Sequence, residues 1–267
     1  MAYYLPWLKR NSDVYGIRFP KNGDSPEGTL IGFRMTGTNN PGGYPMTYVW
    51  KVKPESQAGY YTTFFYANTA EVAFDSGNGY YGAQPIPDNG LDTDTNHSWC
   101  ISTNGLDYPT APGTNDDNGN DLAVIKNVWY TQALVVRLVN TNELELKFYW
   151  DLPSTTKTIT YTSANDWANQ FPPTGTPGIV FGDAPWATVN ERLGGVLGPV
   201  KVIQTNLSQA DVSSEAADMT QMVTTAGQNN RWWFKPTFDS VDDLTDSVTS
   251  KSASWYNANK GTRELIT

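Results

Sequence analysis

From Glu143 to Trp150 the chain alternates without a break. Leu144, Leu146, Phe148 and Trp150 fall on one side of an extended chain, and Glu143, Glu145, Lys147 and Tyr149 fall on the other. That is the period of a strand with one dry face and one wet face. Just before it, Ala133 to Val139 is β-rich and nearly all apolar, as a strand covered on both faces would be. Val139 to Glu143 supplies the polar turn between them. The pattern predicts a long antiparallel hairpin around which the rest of the chain packs.

Similar signals recur along the body. Ile31, Phe33 and Met35 alternate with Leu30, Gly32 and Arg34; Tyr48, Trp50 and Val52 alternate with Val49, Lys51 and Lys53, and Pro54 closes that run. Further strands are predicted at Tyr60–Tyr66, Glu71–Phe74, Trp99–Thr103, Thr156–Thr162, Gly178–Gly182 and Pro199–Gln204. Ser76–Gly79, Gly82–Asn96, Tyr108–Asp121 and Asn165–Pro177 read as turns and loops, rich in Gly, Pro, Asn and Asp. Ser208 with Asp211 three residues on resembles a capping box and predicts a short helix. Roughly ten to twelve strands without βαβ alternation predict an all-β sandwich of two antiparallel sheets.

The two ends differ from the body. Residues 1–28 read as an N-terminal arm, with Trp7 among apolar residues that show no clear period. Residues 216–267 read as a polar C-terminal extension with aromatic anchors at Trp232, Trp233 and Trp255. A disordered tail would lack such anchors. Both ends are expected to dock, on their own domain or on a neighbouring subunit. The domain proper is expected over residues 29–215.

Composition narrows the function. The chain has 267 residues, with 13% aromatics, 17% charged residues and a formal net charge of −9. A nucleic-acid binder needs a basic footprint, and none stands out; an anionic membrane surface is disfavoured for the same reason. No apolar run approaches the ~20 residues of a membrane helix, and the N-terminus lacks the pattern of a signal peptide. Cys100 is the one cysteine and His97 the one histidine, which excludes an internal disulfide and any site with several His ligands.

The order of motifs resembles the concanavalin-A-like jelly roll in its laminin-G-type version, over about residues 28–215. The residues that carry this are Tyr48-Val49-Trp50-Lys51-Val52-Lys53-Pro54, Asn127-Val128-Trp129-Tyr130, and Phe148-Tyr149-Trp150-Asp151-Leu152, where the family's Gly after Asp is missing. Ile179-Val180-Phe181-Gly182 follows, and the closing pattern from Gly195 to Val212 is the most specific. The resemblance implies a two-sheet antiparallel jelly roll with short helical turns. Its function stays open, because this superfold hosts lectins, glycosidases, lyases and structural modules. The whole chain also resembles laminin-G-type structural proteins of tailed bacteriophages, which implies a virion protein made in the host cytoplasm.

Each candidate for chemistry also has a plainer role. Glu143 and Glu145 share a strand face, as a glycosidase pair must, yet Arg137 across the hairpin offers an ordinary ion-pair partner. His97 beside Trp99 is the one candidate base of a lyase and equally a strand-end residue. Asp92 and Asp94, and Asp116 and Asp121, lie in oxygen-rich loops that suit calcium but also suit turns. Tyr80, Tyr81 and Trp186, placed on rim loops, are candidate sugar-stacking residues. Trp7, Trp232, Trp233 and Trp255 are candidate interface residues. The expectation is a protein without catalytic residues or a required cofactor. It would be a virion component contacting other virion proteins and copies of itself. The alternative is a module binding cell-surface glycan, and a hydrolase or lyase ranks third.

Overall fold

Among the described residues the chain forms fourteen strands and one helix. In the computed structural model they are β1 (Val14–Phe19), β2 (Phe33–Thr36), β3 (Met46–Pro54), β4 (Phe64–Ala67), β5 (Tyr80–Pro87), β6 (His97–Thr103) and β7 (Tyr130–Asn140). After these come β8 (Glu143–Tyr149), β9 (Thr156–Thr162), β10 (Gly178–Phe181), β11 (Gly195–Ile203), α1 (Gln209–Ala217), β12 (Arg231–Phe234), β13 (Ser254–Trp255) and β14 (Thr262–Ile266). The structure describes these elements together with residues 44–45, 55, 125, 127–129, 141–142, 152, 182, 193–194, 204–208 and 218–223.

The strands make two antiparallel sheets, and the fold is a jelly-roll sandwich. The larger runs β14-β1-β11-β3-β7-β8-β9, with β12 also on β11; the smaller runs β13-β2-β10-β4-β5-β6. Even-numbered residues of β3 (Met46, Tyr48, Trp50, Val52) are fully buried and meet Leu134, Val136, Leu144, Leu146 and Phe148 on one face of the large sheet. Trp50 stacks on Phe148 with ring centroids 6.3 Å apart. Between the sheets Phe181 of β10 stacks on Trp232 of β12 at 6.4 Å. Burial of each such ring contributes about 2–3 kcal/mol, offset by the entropy of ordering it.

β11 is the most enclosed strand, buried at every position. It pairs with β3 along one edge. Its other edge is shared: β1 takes Gly195 to Leu197 and β12 takes Val200 to Ile203. The register shifts between Leu197 and Val200, so Gly198 and Pro199 sit in a bulge where the change of neighbour occurs. A bulge is where a proline without its N–H is tolerated inside a sheet. Strands from residues 1–28 and from 216–267 therefore complete the same two sheets as the strands of the body.

Gly182 follows β10 with φ +85, a conformation that favours glycine. A Cβ there would lie 2.3 Å from the ring of Phe19. This close approach seats β1 against the end of β10.

Three expectations need correction. Gly82–Asn96 was expected to be loop, but Tyr80–Pro87 is a strand paired with both β4 and β6. Pro85 and Pro87 lie within the part of the strand that pairs with β6, at positions two apart whose backbone nitrogens share one side. Val14–Phe19 was read as part of an arm without a period; its pairing comes from β11 and β14, far away in sequence. The strand expected at Pro199 begins four residues earlier, at Gly195. The strand expected at Glu71–Phe74 lies outside the described residues. Among the described residues no helix is long and apolar enough to cross a membrane.

Candidate functional site

The outward face of the large sheet divides into two parts. At one end α1 and the segment after it lie over Val49, Ala133, Val135, Tyr149 and Ile203, and add Leu207, Val212 and Met219 to a second apolar cluster. Ser208 caps this helix, its hydroxyl accepting from the Asp211 amide at 3.2 Å, as the sequence predicts. Lys201 reaches up from β11 and donates to the Glu215 carboxylate at 2.6 Å, to the Glu215 carbonyl at 2.7 Å and to the Asp218 carbonyl at 2.7 Å. Glu215 in turn accepts from the Val223 amide at 3.1 Å. Both side chains are fully buried. Burial pulls the Lys201 ammonium below its ordinary pKa, and the bond to Glu215 works the other way. The pair fastens the cover to the sheet.

At the other end no helix lies over the sheet among the described residues. The same face of β3 continues as Lys51 and Lys53, both half-buried. Asn127 takes a left-handed conformation (φ 63) and donates its amide to the Pro54 carbonyl at 2.7 Å. That turn brings the chain alongside β3, and Val52 then pairs with Tyr130. Trp129, half-buried, is thereby set beside both lysines. Their ammonium groups stand 5.6 Å (Lys51) and 5.4 Å (Lys53) from its ring centroid, within the range of cation–π attraction.

Glu55 sits just beyond. Its carboxylate accepts from Lys53 at 3.1 Å and from both terminal nitrogens of Arg18, the longer contact being 3.1 Å. Burial alone would raise the Glu55 pKa, but Arg18 and Lys53 together hold it below the usual carboxylate value. Ile125 and Val128, in the same segment as Trp129, are 57% and 41% exposed. The site is thus an aromatic ring, flanked by ammonium groups, a saturated carboxylate and exposed apolar side chains. It can offer a stacking surface and charged donors. Among the described residues it presents no arrangement of nucleophile and base.

The residues singled out in the sequence are distributed otherwise. Tyr80 and Tyr81 lie in β5, paired with Ala67 and Tyr66, and not on a rim loop. Trp186, Asp92, Asp94, Asp116, Asp121 and Trp7 lie outside the described residues. Among the described residues no three Asp, Glu, His or Cys side chains come together as a metal site. Trp255 is in β13 opposite Phe33, and Trp233 is half-buried in β12 opposite Lys201. Trp232, taken as an interface residue, is instead fully buried between the sheets of its own chain. Trp233 beside it is half-buried, so the inward position of the strand is the one that Trp232 takes.

His97 opens β6 opposite Pro87. Glu145 is held by Arg137 in a two-point ion pair at 2.6 and 2.9 Å, and Glu143 accepts from Asn140 at 2.7 Å. The bonds from Arg137 hold the Glu145 carboxyl below its ordinary pKa, the opposite of what a general acid requires. Lys51, Lys53 and Trp129 were quoted in the sequence only as parts of fold motifs. Their one signal as a site was the switch of β3's outer positions from Thr47 and Val49 to lysine.

No protein-family model and no curated protein sequence matches the chain. Solved structures do. A heptameric SAP-like pentraxin from Limulus polyphemus is 12% identical, with 84% of this chain and 92% of that chain covered and a TM-score of 0.53. The CBM40 of the Ruminococcus gnavus IT-sialidase, bound to α2,3-sialyllactose, is 12% identical over 75% of this chain and 96% of that one, with a TM-score of 0.43. Tailspike protein 2 of an Escherichia coli O157:H7 bacteriophage is 14% identical over 69% of this chain and 22% of that chain, with a TM-score of 0.37. The pentraxin likeness agrees with the jelly-roll architecture.

Proposed function

We propose that this protein is a non-enzymatic binding module, a jelly roll that contacts carbohydrate through the outer face around Trp129. The observation that carries the reading is the convergence of Trp129, Lys51 and Lys53 on the part of the large sheet that α1 does not reach. A sugar ring has an apolar face that stacks on an indole and hydroxyls that need charged or polar donors. Both are supplied here by side chains of β3 and of the segment that leads into β7, which hold them in place. Glu143 and Glu145 are engaged as a strand-face network, which supports a role without bond cleavage. No cofactor enters the proposal.

The test is binding of the full chain to a panel of neutral and acidic glycans. Binding that falls at least roughly tenfold, about 1.4 kcal/mol, on Trp129→Ala supports the reading. Binding that survives the substitution, or none to any glycan, contradicts it.

A second reading is a structural protein of a bacteriophage virion, contacting other virion proteins or copies of itself. Exposed Ile125 and Val128 beside Trp129 favour it, since an aromatic ring with apolar neighbours also suits a protein interface. Sedimentation that shows a defined oligomer, dissociated by Ile125→Asp with Val128→Asp, would support this reading over the first.

A further inference from the structure

We infer that the glycan taken by this face is anionic, and that Lys51 is the residue that selects its charge. The inference rests on the carbohydrate reading above and names the class of sugar. Two cations, Arg18 and Lys53, share one carboxylate, Glu55, and Lys51 stands with Lys53 at the Trp129 ring. Both oxygens of Glu55 are already occupied by Arg18 and Lys53. Lys51 has no carboxylate within ion-pair distance among the described residues; its partner is the Trp129 ring. A ring quadrupole attracts an ammonium group but leaves its charge unneutralised.

This local excess of positive charge stands in a chain whose formal charge is −9. In such a chain most cations can find an acidic neighbour, and among the described residues Lys51 is held where it does not. Its strand and the ring beside it restrict the side chain before any ligand arrives, so less ordering remains to be done on binding. A carboxylate or sulfate borne by a sugar stacked near Trp129 would complete the ion pair. A neutral sugar would leave the ammonium as it is. The overall negative charge of the protein repels polyanions at long range, so the preference must come from contact at this face and weaken with salt.

One backbone in three charge states isolates the effect. Dextran, carboxymethyl dextran and dextran sulfate are titrated against the full chain, its Lys51→Gln variant and its Lys51→Arg variant. Thermal unfolding of each variant checks that the fold is kept. The expected result is at least roughly fivefold tighter binding of a charged form than of dextran at low salt, most of it lost in Lys51→Gln and kept in Lys51→Arg. The carboxylated and sulfated forms show which anion is preferred.

Equal binding of all three polymers overturns the inference and leaves the carbohydrate reading standing. A charge preference unchanged in Lys51→Gln also overturns it. Binding to none of the three, with none to the wider glycan panel, overturns both. Self-association of the chain that Lys51→Gln abolishes would show that a second acidic copy, and not a glycan, is the occupant.

Discussion

The two halves of the large sheet's outer face use the same strands and a similar inventory, yet they are built for opposite ends. Under α1, β3 presents Thr47 and Val49, and the cation Lys201 is buried and tied to Glu215 and two carbonyls. Beyond α1, the next outer positions of β3 are Lys51 and Lys53, half-exposed beside Trp129. In the first half the buried charges of Lys201 and Glu215 answer each other. In the second, Lys51 has the Trp129 ring and, among the described residues, no carboxylate within ion-pair distance. The difference separates a surface that completes the fold from one left available to something else.

The largest effect should come from breaking the covered half. Glu215→Ala strands a buried ammonium, and a loss of about 3–5 kcal/mol in denaturant unfolding is expected. Replacing both partners, Lys201→Met with Glu215→Leu, should recover most of it. If the single change costs under about 1 kcal/mol, the cover is not fastened as described.

Next in size is Gly182→Ala. The new Cβ would meet the Phe19 ring at 2.3 Å and occupy a backbone conformation unfavourable to alanine. A loss of about 2–3 kcal/mol is expected, relieved in part by Phe19→Leu. Additive losses in the double variant would contradict that contact.

Smaller still is the pH effect of Glu145. Its folded-state pKa is depressed, chiefly by Arg137. Its contribution is therefore present above the unfolded carboxylate pKa of about 4.3 and is lost as pH falls through the folded value. Because Arg137 and Glu145 are substantially exposed, the effect should stay below about 1 kcal/mol. Unfolding of wild type and Glu145→Gln should converge at low pH; a gap that widens on acidification would reverse the sign.

The smallest change in stability is expected at the open half. Lys51→Gln should alter unfolding by less than about 0.5 kcal/mol. A large loss there would mean that this lysine supports the fold and is not reserved for contact.

What the sequence disclosed follows the range of the forces involved. The β7–β8 hairpin was legible because its period is local, and its turn is closed by the Asn142 amide on the Asn140 side chain at 3.0 Å. The start of α1 was legible because Ser208 and Asp211 cap it within one turn. β1 was not, since its partners β11 and β14 stand at the far end of the chain. β5 was masked by Pro85 and Pro87, which read as breakers although both lie within its pairing with β6. The site was hidden most completely. Lys51 and Trp129 are far apart in sequence and meet only because Val52 pairs with Tyr130.

The central claim is that Trp129, and not the tryptophans of the core, meets the ligand. Indole N–H resonances assigned by substitution report this directly when an acidic glycan is added. The account predicts that the Trp129 signal shifts and saturates with the binding curve while those of buried Trp50 and Trp232 stay in place. A saturable binding curve with an unmoved Trp129 signal would contradict it.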